Sequence, residues 1–258
     1  MSRPLFARGR RDDNGRMRVV SLVPSLTELT WELAPETLAG RTKFCTEPPE
    51  MAASVPAFGG TKDPDVTAIA ALRPDLVIAN REENRREDVA ALEAAGLRVL
   101  VTVIDSVEEA LAAIRAIGAE VGNPGRADAL AAEVESALAD AASGEGPRVF
   151  VPIWRRPLLG LGGGTYGSSL LEACGAVNVL RERERYPEVT LEEVRALRPD
   201  LVLLPDEPYH FREEHCAEFA EAAPARLVDG KLLWWYGPRM PGSIRALRTL
   251  LAEAAAWR

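Results

Sequence analysis

Short apolar runs alternate along the chain with stretches whose apolar residues recur at helical spacing. Residues 18–23 predict a strand. Residues 25–33 predict an amphipathic helix, with Ser25 and Glu28 at the spacing of a capping box. Residues 76–79 read as a buried strand behind Arg73-Pro74-Asp75, because proline stops a helix and restricts the residue before it. A helix over 86–95 ends at Gly96, and a strand over 97–103 comes next. Ser106 opens another helix, with Glu108 and Glu109 in the first turn, where carboxylates meet the positive end of the helix dipole. Residues 126–142 are rich in Ala and Glu at helical spacing. Ser143-Gly144-Glu145-Gly146-Pro147 closes that run before a strand over 148–153. The alternation predicts an α/β protein with mainly parallel sheets.

An internal repeat divides the chain. Leu72-Arg73-Pro74-Asp75-Leu76-Val77-Ile78-Ala79 recurs as Leu197-Arg198-Pro199-Asp200-Leu201-Val202-Leu203-Leu204. Each copy comes after a short helical run, and each half opens on an Arg-Val strand, at Arg18-Val19 and Arg148-Val149. The expected organisation is a polar extension at 1–17, an α/β lobe at 18–121, a connecting helix at 122–146 and a second α/β lobe at 147–258. A helical connection is stiffer than a Gly/Ser linker.

Composition narrows the function classes. With 258 residues, 47% of them apolar, the chain can fill two cores and is not of disordered type. A net charge of −8 without a basic stripe excludes a nucleic-acid partner. No apolar run reaches the roughly 18–20 residues of a membrane span. Arg8, Arg10 and Arg11 are followed by polar residues, not by the apolar core of about 7–15 residues that marks a secretory leader. The expectation is therefore a cytoplasmic protein, or a periplasmic one if the start is misassigned. Cys45, Cys174 and Cys216 form no even disulfide framework and fit a reducing compartment.

In open α/β sheets ligands bind beyond the carboxyl ends of the strands. The segments there are Pro24-Ser25, residues 44–47, 58–62 and 80–84 in the first half. In the second half they are residues 154–156, 162–166, 206–210 and 234–239. All four tyrosines (166, 186, 209, 236) fall in predicted loops of the second half, beside Trp154, Trp234 and Trp235. That placement predicts a flat, partly apolar ligand held between rings, against ordinary loop packing. Gly162-Gly163-Gly164-Thr165 lacks the Gly-Lys-Ser/Thr ending of a phosphate loop and reads as a turn or a close backbone approach. Cys45 is either a soft ligand or a small buried thiol. His210, His215 and Cys216 lie close in sequence, but capping and packing account for them better than zinc does. No spacing singles out a catalytic set.

Ser21-Leu22-Val23-Pro24-Ser25-Leu26-Thr27-Glu28 resembles the opening strand and helix of the substrate-binding proteins of vitamin B12 and iron–siderophore ABC importers. These are the class III periplasmic binding proteins, or helical-backbone metal receptors. The repeated Leu-Arg-Pro-Asp-Leu-Val is similar to that family's helix-to-strand turn. Residues 59–62, 79–84, 186–189, 207–209 and 235–239 resemble its cobalamin-binding-protein-like branch. The resemblance runs from Arg18 to the C-terminus. It implies two Rossmann-like lobes joined by one long α-helix, with a corrinoid or metal chelate in the cleft between them, no intrinsic cofactor, no catalysis and a monomeric chain. Mapped onto this sequence it implies ligand contacts at Pro24, Phe44, Cys45, Phe58, Asn80, Trp154, Tyr166, Tyr209, Trp235 and Arg239. Glu192 is the implied docking point for an ABC permease, and the repeat places Thr67 opposite it in the first lobe. A cofactor-processing enzyme using the same cleft, or a scaffold without a ligand, are the competing readings.

Overall fold

The computed structural model describes residues 17–139 and 146–255. They form two compact units. The first takes the residues up to Val103 together with Ala113–Ala129; the second takes Ile104–Ala112 and the chain from Leu130 onward. Apart from Met17, the polar extension lies outside the described residues, as does the helical run just after Ala139.

The first part of the chain runs β1 (Val19–Ser21), α1 (Pro24–Leu33), β2 (Leu38–Gly40), α2 (Pro49–Ser54), α3 (Val66–Leu72), β3 (Leu76–Asn80), α4 (Arg86–Ala94), β4 (Val99–Thr102), α5 (Val107–Glu120) and α6 (Pro124–Ala139). The strands pair in parallel in the order β2-β1-β3-β4. Strand β3 is buried at every position, as a parallel strand covered on both faces must be. Val20, Leu22, Ile69, Val77 and Leu92 form a core against which Phe58 packs. Helix α1 starts at Pro24, with Val23 as an N-cap that makes no side-chain bond, so the capping box expected from Ser25 and Glu28 does not form. Proline has a preset φ and no N–H to leave unpaired, which suits the first helical position. For the same reason α6 starts at Pro124 rather than at 126.

The run read as the connecting helix is α6, and the units divide after Val103, inside α5 after Ala112 and inside α6 after Ala129. Within the first unit, α5 and α6 approach closely at Gly118. A Cβ there would lie 2.2 Å from the Cβ of Ala127. Gly118→Ala adds about 1 kcal/mol of helix propensity. The clash is with a methyl fixed to the backbone, which no rotamer relieves, and overpacking of that kind costs about 1–3 kcal/mol. A lower denaturation midpoint is expected for Gly118→Ala, with much of the loss restored by adding Ala127→Gly. A midpoint that rises in the single variant would refute the close approach.

The second part continues as β5 (Arg148–Phe150), β6 (Pro152–Trp154), β7 (Leu159–Gly160), α7 (Tyr166–Ala173), β8 (Val177–Asn178), α8 (Leu191–Ala196), β9 (Leu201–Pro205), α9 (Glu213–Phe219), β10 (Ala225–Val228), α10 (Lys231–Trp234) and α11 (Met240–Ala255). A parallel sheet has the order β10-β9-β5-β8, and β6 and β7 form a separate antiparallel pair. The strand predicted over 148–153 is thus two strands, since Pro152 has no N–H for the parallel ladder. The core contains Phe150, Leu180, Val202, Leu204, Phe211 and Phe219.

The repeat has a physical basis. Arg73 and Arg198 end their helices in the left-handed region, at φ 50° and 48°. Two residues on, Asp75 accepts from the N–H of Arg18 at 2.8 Å, and Asp200 accepts from the N–H of Arg148 at 2.6 Å. Each aspartate thereby ties the strand it precedes to the first strand of its own unit.

Candidate ligand-binding loops

In the first unit Asn84 ties together three of the loops at the carboxyl ends of the strands. Its Oδ1 accepts from the N–H of Asn80 at 2.8 Å. Its Nδ2 donates to the Thr61 carbonyl at 2.9 Å and reaches the Leu22 carbonyl at 3.5 Å. Asn80 is as enclosed as Asn84. Its Oδ1 accepts from the N–H groups of Glu82 and Glu83 at 2.9 and 3.3 Å, and its Nδ2 donates to the Thr102 hydroxyl at 3.1 Å. The Lys62 ammonium donates to the Glu82 carbonyl at 2.6 Å. The turn over 80–84 is therefore fixed from both sides. On it, the partly buried Glu83 carboxyl has no hydrogen-bond partner among the described residues. Burial raises its pKa, against the pull of Lys62.

Cys45 is fully buried, with the Thr27 hydroxyl 3.1 Å and the Thr42 hydroxyl 3.2 Å from its sulfur. Burial pushes the thiol pKa up. Phe58 lies on the core, where its ring leaves no room for a side chain at Gly40: a Cβ there would be 2.8 Å away. Of the expected contacts, Cys45 and Asn80 are thus buried in the loop scaffold, and Phe58 is partly buried against the core. Extended residues send side chains alternately to opposite sides, so a place after a strand does not say which way a side chain points. Phe44 is different: it is 55% exposed. Pro24 is partly exposed at the start of α1.

In the second unit Trp154 is 43% exposed at the end of β6 and meets Tyr209 edge-on, with centroids 5.5 Å apart. Tyr209 rests on Phe211 at 4.8 Å, and Phe211 on the core ring of Phe219 at 6.4 Å. The Arg155 guanidinium beside them donates to Glu218 at 2.9 Å. His215 accepts through Nδ1 from the N–H of Arg212 at 2.9 Å and so caps α9. Cys216 is partly buried against the core cluster.

Trp235 is buried. Its indole N–H donates to Glu207 Oε1 at 2.9 Å, and the Arg239 guanidinium lies 5.1 Å from its ring. Burial raises the Glu207 pKa, against the lowering effect of the Trp235 bond. Tyr166 is not in a loop but opens α7. It is buried edge-on against Tyr236 at 5.4 Å, and its hydroxyl has no hydrogen-bond partner among the described residues. Its apolar surroundings raise its pKa. Tyr166 is an interior residue at the start of its helix; the ring suits the first turn of an amphipathic helix as well as a binding loop. The Gly162 and Gly163 N–H groups donate to the carbonyls of Arg185 and Arg183 at 2.6 and 2.8 Å. A Cβ on either glycine would lie within 2.3 Å of a carbonyl oxygen, so these glycines serve backbone approach.

Sequence reasoning passed over Asn84 and Thr27 as organisers. Asn84 ends the conspicuous Asn80-to-Asn84 segment, where paired asparagines four apart are a signal for a closed turn. Among the described residues no group of three or more His, Cys, Asp or Glu side chains could hold a metal ion. No described helix is long and apolar enough to cross a membrane.

Each α/β unit thus carries one exposed aromatic ring in these segments, Phe44 in the first and Trp154 in the second. The family model described as "Periplasmic binding protein" matches residues 19–207. The chain belongs to that family. It is 29% identical over 192 residues to the vitamin B12-binding protein of Salmonella typhi, covering 72% of this chain and 71% of the relative. It is 25% identical over 191 residues to that of Vibrio cholerae O395, covering 72% and 69%. A periplasmic heme-binding protein from Pseudomonas aeruginosa has a similar structure, with a TM-score of 0.78, 26% identity, and coverage of 91% of this chain and 92% of the other. The periplasmic vitamin B12-binding protein of Vibrio cholerae shares the fold, with a TM-score of 0.78 at 22% identity, over 92% and 97%. The cytoplasmic expectation is overturned by this membership, because the family is one of periplasmic binding proteins.

Proposed function

We propose that the chain is a non-enzymatic receptor for a corrinoid, working in the periplasm and handing its ligand to an ABC permease. The observation that carries this is the likeness to vitamin B12-binding proteins over 72% of the chain. The chemistry supports it. Both histidines and all four tyrosines lie at Tyr166 or beyond, so the first unit offers neither an imidazole nor a phenolate to a haem iron. A cobalamin brings its own axial base and needs no ligand from the protein. Phe44, Trp154 and Tyr209, together with Pro24, Trp235 and Arg239, are the proposed contacts. Full burial of one large apolar side chain contributes about 1.5–3 kcal/mol before ordering costs.

Glu192 is exposed in the first turn of α8 and borders a groove of about 640 Å³ lined also by Arg195, Glu218 and Glu221. It is the proposed permease contact. The second reading, haem, rests on the similarity to the heme-binding protein of Pseudomonas aeruginosa. Native mass spectrometry and absorbance after incubation with cobalamin, cobinamide, haem and ferric chelates separate the two. The expected result is one equivalent of corrinoid, returned unchanged. Haem retained while cobalamin is not would overturn the proposal in favour of the second reading.

A further inference from the structure

Glu83 has a feature that the corrinoid reading does not use. Its carboxyl is partly buried, yet it makes no hydrogen bond among the described residues. A half-desolvated carboxyl without a partner costs free energy that a ligand group can recover. The turn that carries it does not yield. Asn80 receives the N–H groups of Glu82 and Glu83, Asn84 fixes the turn to the Thr61 loop, and Lys62 holds the Glu82 carbonyl. Lys62 thus spends a hydrogen bond on the backbone beside Glu83 rather than on its carboxylate. Glu83 stands just past the carboxyl end of β3, where ligands of parallel sheets bind.

A primary amide suits such a group in either protonation state. Its N–H donates to a carboxylate, and its C=O accepts from a carboxylic acid. A ligand carboxylate does not: it meets a like charge, or binds only with uptake of a proton. We propose that Glu83 is a specificity-determining residue that hydrogen-bonds an amide on the rim of the ligand and selects amide-bearing macrocycles against their carboxylate counterparts. The inference rests on the corrinoid reading above and adds the basis of choice within it.

The test uses two probes with the same metal and ring: dicyanocobinamide, whose ring side chains are amides, and dicyanocobyrinic acid, whose side chains are carboxylates. Affinities are read by calorimetry on the full chain, for the wild type, Glu83→Gln and Glu83→Ala, with Glu82→Gln as an exposed neighbour. The wild type is expected to prefer the amide probe. Glu83→Gln is expected to cut that preference about tenfold, chiefly by tighter binding of the carboxylate probe. Glu83→Ala should cut it too, with weaker binding of the amide probe. Glu82→Gln should leave the ratio within about twofold. Thermal midpoints confirm that each variant folds. A preference unchanged in both Glu83 variants, or reduced equally by Glu82→Gln, overturns the inference while leaving the corrinoid reading intact. If the wild type binds neither probe nor cobalamin, the corrinoid reading falls and takes the inference with it.

Discussion

Phe211→Ala is expected to lower the stability of the second unit by about 3–5 kcal/mol, the range for deleting a fully buried phenylalanine. Phe211 is 1% exposed. Its ring meets Phe219 at 6.4 Å, His215 at 5.8 Å and Tyr209 at 4.8 Å. It is therefore the link between the core and the exposed Trp154, which leans on Tyr209. Removing it leaves a cavity that neither the sheet nor α9 can close without moving the cap that His215 makes. For a unit of this size the melting midpoint should drop by about 6–20 °C. Ligand affinity should fall as well, because the Trp154–Tyr209 pair loses its support. Phe211→Leu keeps most of the volume and should cost less than half as much. A Phe211→Ala midpoint within about 2 °C of wild type would show that the ring is not a support.

Asn84→Ala carries the second large effect, in the first unit. The substitution leaves the Asn80 N–H and the Thr61 carbonyl without the partners they now have at 2.8 and 2.9 Å. Each buried polar group left unpaired costs about 1–3 kcal/mol. Partial entry of water limits the total to about 2–4 kcal/mol. The loss is not only global. The turn over 80–84 is freed from the Thr61 loop, so faster amide exchange is expected at Glu82 and Glu83, whose N–H groups bond to Asn80. Affinity should fall with it, since a loop that must be ordered on binding spends part of the interaction energy on that ordering. Exchange confined to wild-type rates at those two amides would argue that Asn80 alone holds the turn.

Much of the architecture is readable without coordinates, and the reason is local. Leu72-Arg73-Pro74-Asp75 and its copy specify a helix stop and a buried strand by backbone chemistry alone, and the structure adds only the clamp from each aspartate to the first strand. Period and turn chemistry likewise mark α4, β4 and most of α6. Boundaries slipped where proline took the first helical position, at Pro24 and Pro124, because a capping motif and an N1 proline compete for the same turn.

The candidate site divides more sharply. Sequence by itself determined which segment leaves each strand, and of the rings in those segments Phe44 and Trp154 are exposed and Tyr209 partly so. It could not decide which side chains in those loops face outward. Cys45, Phe58, Asn80 and Tyr166 occupy the same kinds of positions as Phe44 and Trp154, yet are spent on hydroxyls, core, backbone and a second ring. For Cys45 and Tyr166 that outcome depends on partners 18 and 70 residues away, Thr27 and Tyr236. Local propensity contains no term for those partners. Only the tertiary structure brings them within hydrogen-bonding or van der Waals distance, and burial then decides whether a polar group is consumed within the fold or, like the Glu83 carboxyl, has no hydrogen-bond partner among the described residues.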